Sequence, residues 1–555
     1  MKKSAALLLC LLFTFALGAP ISAATDKKAP GEVAKIFITY EKSPNVDKYV
    51  NCTVEIIDKE GGEYETLTDA GAKFKIRGNS TSSGEKKPFN IKLSEKTGVL
   101  GMGKNKKWCL LANCYEKTLI RNQTVLDFAR AIGLRYTPNY RVVEVFLNGK
   151  FNGAYLLTDA IQASSSRVDI DTDGHEFVLE RDARTDEGTV YFTTDRYGIR
   201  LGINEPEEPT DEQYDWLMDF LKQAENALAT GKFSDVEKYF DIDSMIDFYI
   251  VLEYFKNVDV NTGSTRFYIK EGKIYGGPCW DFDLSSGNCD YTYYWDYNNR
   301  NTSGDSTEGL YCRCLWFKPL LAFAAFREAL NKRYLELQDR ITNLYSDNRL
   351  GKNHIDTLTE TYARTISRNY REAGWSITKK YSTLEHDPLG SYEAEIEYLR
   401  EWLKKRNEWM LDYLGLQSEL VLKEEAELGL DGYYITGVGE KTTLASLAEN
   451  FENEKLTACK YDGTAIENGR YISNGAAVSA GGVTYTVIIR GDAIADGRIT
   501  ATDYAFIKRY FLQTVTSDDE YRLAAADVNR NGRIDSADYA MTKRHVLGTY
   551  TIGAK

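Results

Sequence analysis

The sequence predicts an α+β protein built from several units. Three observations carry this. Period-two strand patterns fill residues 33 to about 155, apolar residues at three- and four-residue spacing dominate after Pro209, and a loop-and-helix unit occurs twice near the C-terminus. At 555 residues the chain exceeds what one hydrophobic core usually fills. Its 43% hydrophobic, 27% charged and 12% aromatic residues are those of a folded protein. A formal net charge of −13 argues against nucleic acid as a partner, which needs a clustered basic surface, but leaves room for a local cationic pocket.

Residues 1–24 read as a secretory signal: Lys2 and Lys3, an apolar run from Ala5 to Leu17, then the small residues Ser22, Ala23 and Ala24 at the cleavage region. No later segment reaches the ~20 apolar residues that cross a bilayer, so a secreted, extracellular protein without a membrane span is expected. Eight cysteines remain after Cys10, scattered over the chain; Cys109/Cys114 and Cys312/Cys314 lack the two-residue gap of zinc sites, and free buried thiols or an occasional disulfide are expected.

The strands expected first are Ala34–Tyr40, Val54–Ile57, Ala72–Arg77, Phe89–Leu93 and Val142–Leu147. Alternation puts Lys75 and Arg77 on one face and Lys92 with Asn90. The polar loop Gly78–Gly84 between them either holds phosphates with backbone N–H groups and nearby cations or is an ordinary hairpin loop. Gly98–Asn105 nearly matches a P-loop, but Asn105 stands where a hydroxyl must hold Mg²⁺ and no helix follows, so it reads as a turn. A helix over Lys117–Ile132 carries Arg121 and Asn122 in its first turns. Phe177–Glu180 and Val190–Thr193 are further strands. Helices are expected over Asp211–Thr230, Ile242–Phe255, Leu315–Tyr345, Ile355–Tyr370 and Tyr392–Leu414, with short strands over Thr265–Lys270 and Lys273–Asp283. A domain over 33–418 and a small mainly β module over 431–490 follow, the latter with strands at Tyr433–Ile435 and Val483–Ile489 around a helix at Leu444–Phe451.

The acidic hairpin inside the helical half is the candidate site. Asn257, Asp259 and Asn261 are followed by Trp280-Asp281-Phe282-Asp283, in a chain with only four histidines, which favours carboxylate and metal chemistry over imidazole chemistry. On a strand, Asp281 and Asp283 share a face ~7 Å apart, suited to one Mg²⁺–nucleotide assembly, with Asp259 as the base taking a hydroxyl proton. A calcium loop starting at Asn257 fails, because Gly263 falls at position 7 and Tyr268 at position 12. Asp and Asn that merely cap helices and turns are the other reading, and the residues alone leave both open. Paired carboxylates also suit a glycosidase, but nothing fixes their separation.

The tail gives the sharpest pattern. Asp527, Asn529, Asn531, the Arg533 carbonyl, Asp535 and Asp538 occupy positions 1, 3, 5, 7, 9 and 12 of an EF-hand-like Ca²⁺ loop, with Gly532 at the turn. The first loop offers Asp492, Asp496, the Arg498 carbonyl, Thr500 and Asp503, but Ile494 sits at position 3, so weaker binding is expected there. Two such loops 35 residues apart, each followed by a helix with Lys-Arg, resemble a type I dockerin over residues 491–549. The resemblance implies Ca²⁺ binding and docking on a cohesin module of a scaffoldin in a cellulosome, the machinery of polysaccharide degradation. The family's recognition positions fall on Ala501, Thr502, Ser536 and Ala537, with Lys508, Arg509, Lys543 and Arg544 nearby.

A second resemblance covers residues 33–418. Lys75-Ile-Arg77-Gly-Asn79-Ser80, Lys87-Pro-Phe-Asn-Ile-Lys92-Leu, Trp108-x-Leu-Leu-Ala112, Lys117-x-Leu-Ile-Arg121-Asn122, Glu144-Val-Phe-Leu-Asn148-Gly149, Asn257-x-Asp259 and Trp280-Asp281-Phe-Asp283 follow, in order, the pattern of the CotH family. The resemblance implies a reduced, atypical kinase-like fold transferring the γ-phosphoryl group of ATP, with Mg²⁺ or Mn²⁺, to Ser or Thr of a protein substrate. By motif, Asp259 would be catalytic, Asp281 and Asp283 metal-binding, and Lys75, Arg77, Lys92 and Arg121 on the phosphate side. Many members carry an Asn where this chain has Ser264-Thr265-Arg266, which leaves two readings open: Asn261 substitutes as metal ligand, or metal binding is impaired and the domain is an inactive member of the family. A non-catalytic structural component of the cellulosome, touching carbohydrate or cell wall through the 38 tyrosines, is the alternative.

Overall fold

The computed structural model describes residues 32–182, 188–289, 305–348, 351–416, 420–431, 434–453, 456–461, 463–480 and 484–553. The signal segment 1–24, Tyr433 and Val483 lie outside the described residues. A nine-stranded sheet runs in the order Val50–Asn51, Lys73–Ile76, Phe89–Val99, Met102–Leu111, Lys150–Asp159, Tyr140–Leu147, Ala34–Thr39, Thr53–Ile57, Leu67–Asp69. A five-stranded sheet follows in the order Val190–Thr193, Arg200–Glu205, Phe177–Arg181, Thr265–Lys270, Lys273–Gly276. The alternation predicted at the first strand is realised: Ala34, Ile36 and Ile38 are buried while the residues between them are less so. Leu100 and Gly101, both at positive φ, close a two-residue turn between the third and fourth strands of the large sheet, so the near P-loop is a hairpin turn.

Helices cover the sheets and share one hydrophobic core with them, from Ala34 to Leu411. Asp211–Thr230 begins where Thr210 and Gln213 form a reciprocal capping box and ends at Gly231, whose φ of 91° a side chain would resist. The expected helix over Leu315–Tyr345 is three: Phe317–Leu320, Ala324–Glu336 and Gln338–Tyr345. Apolar spacing continues across both breaks, which is why the pattern alone merges them. The expected helix from Lys117 starts at Arg121, because the Glu116 carboxylate takes the Thr118 and Arg121 N–H groups and Leu119 turns to φ 59°.

Beyond this core, a third sheet of five short strands (Gly429–Asp431, Tyr434–Thr436, Thr484–Val487, Ala477–Ser479, Thr457–Cys459) packs its own core from Leu420 to Ile489 around the helix Leu444–Ala448. Three helices, Ala501–Phe511, Glu520–Ala526 and Ser536–Val546, form the last core. No helix among the described residues is long and apolar enough to cross a membrane.

Lys86 fastens a helix to the large sheet. Its wholly buried ammonium donates to the Ala154 carbonyl at 2.5 Å and to Asn369 Oδ1 at 3.0 Å, below the Tyr155 ring. Burial lowers its pKa to about 7 from 10.5. Between those values the unfolded chain binds more protons than the folded one, so this group makes stability rise with pH across that window, and its unfavourable contribution is constant below it. Lys86→Met is expected to remove that rise, a difference on the order of a few kcal/mol, in urea unfolding of the two proteins below and within the window.

Candidate active site and calcium tail

The site is assembled from two irregular segments. The first leaves the helix Ile242–Tyr254 and reaches the strand Thr265–Lys270; the second leaves the strand Lys273–Gly276. The predicted strand over Lys273–Asp283 therefore stops early. Gly277 takes φ 102°, Pro278 has no N–H for a ladder, and Asp281 adopts φ 68°, so Asp281 and Asp283 do not share a strand face. Lys256, Ser264, Asp281 and Ser286 are all non-glycine residues in the left-handed region, a concentration of backbone strain within these two segments.

Side chains knit the segments together. Asn257 accepts the Asp259 N–H with Oδ1 at 3.0 Å and donates Nδ2 to the Asp281 carbonyl at 3.3 Å. Ser264 Oγ donates to Asp281 Oδ2 at 2.9 Å, so a residue after Asp259 contacts the Asp281 carboxylate directly. Thr262 Oγ1 lies 3.2 Å from Asp259 Oδ1. From the large domain's first helix, Asn122 Oδ1 accepts the Phe282 N–H at 2.9 Å while its Nδ2 donates to Asn113. Sequence reasoning assigned Ser264 and Asn122 no such tasks; the only signal was their position beside the acidic residues and in the Lys117–Asn122 motif.

Asp281 and Asp259 are half-buried and Asp283 is buried. Burial first, then the charges of Asp281, Asp259 and Glu116, holds the Asp283 carboxyl well above the usual carboxylate range. Carboxylates crowded together inside a protein are relieved either by protonation of one of them or by a bound cation. Among the described residues no three His, Cys, Asp or Glu side chains converge closely enough to form a complete metal cage. Asp281 and Asp283 are the residues that would hold Mg²⁺ or Mn²⁺ here, together with substrate phosphates.

Beside the carboxylates stands a cationic strand face. Cross-strand register puts Lys75 opposite Asn90 and Asn90 opposite Cys109, with Lys73, Lys92 and Lys107 opposite one another further out. Two guanidinium groups lie over the Trp280 ring, Arg77 at 5.2 Å and Arg266 at 5.5 Å from its centroid, and Lys75 covers Tyr49 at 5.3 Å. Arg266 is neutralised by Glu180 at 2.5 Å. Lys92 is exposed and pairs with Lys73, about 13 Å along the strands from the Arg77 end, so it is remote from Trp280. Arg121 lies away from this strand face: its guanidinium forms an ion pair with Glu116 at 3.1 Å with neither side chain exposed, while its Nε and Nη2 have no hydrogen-bond partner among the described residues.

In the tail, each loop is tied together by hydrogen bonds from its own backbone. In the second, Asp527 accepts from Asn531 and Gly532 N–H groups, Asn529 Oδ1 from Asn531, Asn531 Oδ1 from Arg533, and Asp538 from Val528, Asn529 and Asp535. These hydrogen bonds gather the oxygens of positions 1, 3, 5 and 12, as a hard cation requires. In the first, Asp492 and Asp503 do the same, Asp496 accepts from Arg498, and Ile494 at position 3 points an apolar, 38% exposed side chain outward. Burial pushes Asp492 up to about 6. Asp535 caps the helix Ser536–Val546 and Thr500 caps Ala501–Phe511. Ala501, Thr502, Lys508, Arg509, Ser536, Ala537, Lys543 and Arg544 are all exposed.

Fold and site define a class: a two-sheet α+β domain with carboxylates on strained loops beside a cationic strand, followed by a β module and a paired-loop helical tail. The chain belongs to the CotH kinase protein family, whose model matches residues 74–410. The Dockerin type I domain model matches residues 490–547, so this is a dockerin-bearing protein of the cellulosomal, extracellular type, with a tail of the kind that binds Ca²⁺ and cohesins. Nothing among curated proteins matches the chain.

Proposed function

We propose that the domain over 33–418 is an ATP- and Mg²⁺- or Mn²⁺-dependent protein Ser/Thr kinase, exported and anchored by dockerin–cohesin binding. The observation that carries this reading is the placement of Asp259, Asp281 and buried Asp283 on two loops tied together by Asn257 and Ser264, with Arg77 over the Trp280 ring beside them. Asp281 and Asp283 would hold the metal, which neutralises the transferring phosphates when bound. Arg77 and Lys75 face the phosphates from the strand, since neither pairs with a carboxylate among the described residues. Asp259 orients the acceptor hydroxyl and takes its proton. Ser264 fixes the Asp281 carboxylate, and Asn122 and Asn257 fix the backbone that carries it. Incubation of the purified chain with γ-labelled ATP and Mg²⁺ or Mn²⁺ tests the reading: label is expected on a protein acceptor, and the absence of both label transfer and metal-dependent nucleotide binding would refute it.

In the tail, the complete second loop is expected to bind Ca²⁺ more tightly than the first, which lacks an oxygen at position 3. Calorimetric titration of chelator-treated protein should resolve two unequal events, the tighter removed by Asn529→Ala.

A further inference from the structure

The two calcium loops differ in a way their sequences do not announce. Gly532 of the second loop is open: a Cβ there would meet nothing within 4 Å. Its counterpart Gly497 is enclosed, and a Cβ would lie 2.7 Å from the Ile472 carbonyl and 2.9 Å from Tyr471 Cβ. Tyr471 and Ile472 belong to the β module, so the module encloses the first loop, while Arg490 at its boundary donates to the Asp527 backbone carbonyl of the second.

The contact is polar and specific. The backbone N–H of Asn474, a residue 3% exposed, donates to Asp492 Oδ2 at 2.9 Å, adding a module donor to the two from within the loop. The Asn474 side chain is itself fixed at both ends, accepting the Ile489 N–H at 3.0 Å and donating to the Tyr521 carbonyl at 2.9 Å. From a second module segment, Lys441 N–H donates to the Gly497 carbonyl at 2.8 Å, and Glu440 Oε2 accepts the Ile499 N–H at 3.0 Å. Glu440 Oε1 also faces His545 of the last helix at 3.4 Å, and Arg498 lies over the Tyr471 ring. A hydrogen bond from Ile472 N–H to the Thr442 carbonyl ties the two module segments together. Among the described residues, none from the module is bonded to the carboxylates of the second loop, where Asp527 and Asp538 accept from their own loop.

We infer that the β module over 420–489 is a positioning element of the first calcium site, holding that loop in its binding shape where the ligand at position 3 is missing. The inference rests on the calcium reading of the dockerin. A loop with one ligand fewer gains less from the cation, so its ordering must be supplied in advance, and fixed external hydrogen bonds do this. By linkage, calcium in the first loop must in turn stabilise the module segments that hold it.

The test uses the full chain stripped of calcium and titrated with Ca²⁺ by calorimetry. Asn474→Ala and Glu440→Ala are expected to weaken the weaker event by about tenfold or more, as expected for lost buried or charge-assisted hydrogen bonds, and to leave the tighter event unchanged. Unchanged affinity of both events in both variants overturns the inference. A wild-type chain that binds no Ca²⁺ overturns the dockerin reading beneath it and the inference with it. A second measurement needs no variant: backbone amides around Ile472 and Asn474 of the wild-type chain are expected to exchange more slowly with Ca²⁺ than without, and equal exchange in both conditions overturns the coupling.

Discussion

Asp259→Ala is expected to lower phosphoryl transfer by about 10²- to 10⁴-fold, the contribution of a positioned general base, while metal-dependent nucleotide affinity stays near that of the wild type. Asp281→Asn is expected to fail differently, losing the metal-dependent part of nucleotide binding together with transfer, because in the proposed site its carboxylate would hold the metal, oriented by Ser264. The distinction matters, since a residue that only caps a turn would affect both proteins through folding alone. Asp283→Asn supplies the third arm. Burial and the neighbouring Asp281 and Asp259 oppose its ionised form, so the amide should stabilise the metal-free protein by about 0.5–2 kcal/mol while abolishing transfer. Activity assays paired with thermal unfolding in chelator check all three. A variant set that loses stability and activity in parallel would reduce the acidic cluster to a structural role.

Much of the frame was legible because local signals agreed. The bounds of the helix Asp211–Thr230 follow from Thr210 before it and Gly231 after it, and the duplicated loops of the tail from fixed spacing of oxygen ligands. A local period misleads where a breaker interrupts it. Trp-Asp-Phe-Asp alternates like a strand, yet the Gly277-Pro278 pair just before it ends the ladder, and the irregular path that follows is what turns Asp281 toward Ser264. Arg121 looked like a phosphate ligand because its charge is visible in the sequence and its partner's use is not; Glu116, five residues earlier, neutralises it only because the chain turns back before the helix starts. The embrace of the first calcium loop by Glu440 and Asn474 has no periodic signature at all, since it joins residues of different units through single hydrogen bonds.

The same limit applies to the group that pins the active-site loops from behind, and its removal should have the largest effect on stability. Arg406 and Glu253 lie 153 residues apart, pair at 2.6 Å, and are both without exposure. Arg406 also donates to the Thr307, Gly309 and Glu253 carbonyls, and Glu253 accepts the Tyr311 and Cys312 N–H groups, so the pair holds the returning segment 307–312 against the end of the helix Ile242–Tyr254. Lys256, immediately ahead of Asn257 in the site, adds bonds to the Ser306 and Glu308 carbonyls of the same segment. Arg406→Ala leaves a buried carboxylate and the carbonyls it served without their cation, and is expected to destabilise the protein by about 3–5 kcal/mol in urea unfolding. Because an uncompensated charge accounts for most of that loss, adding Glu253→Gln to Arg406→Met should recover a substantial part of it. Nucleotide binding should recover less, since the neutral pair no longer fixes the segment that meets Lys256 and, through it, the turn carrying Asp259.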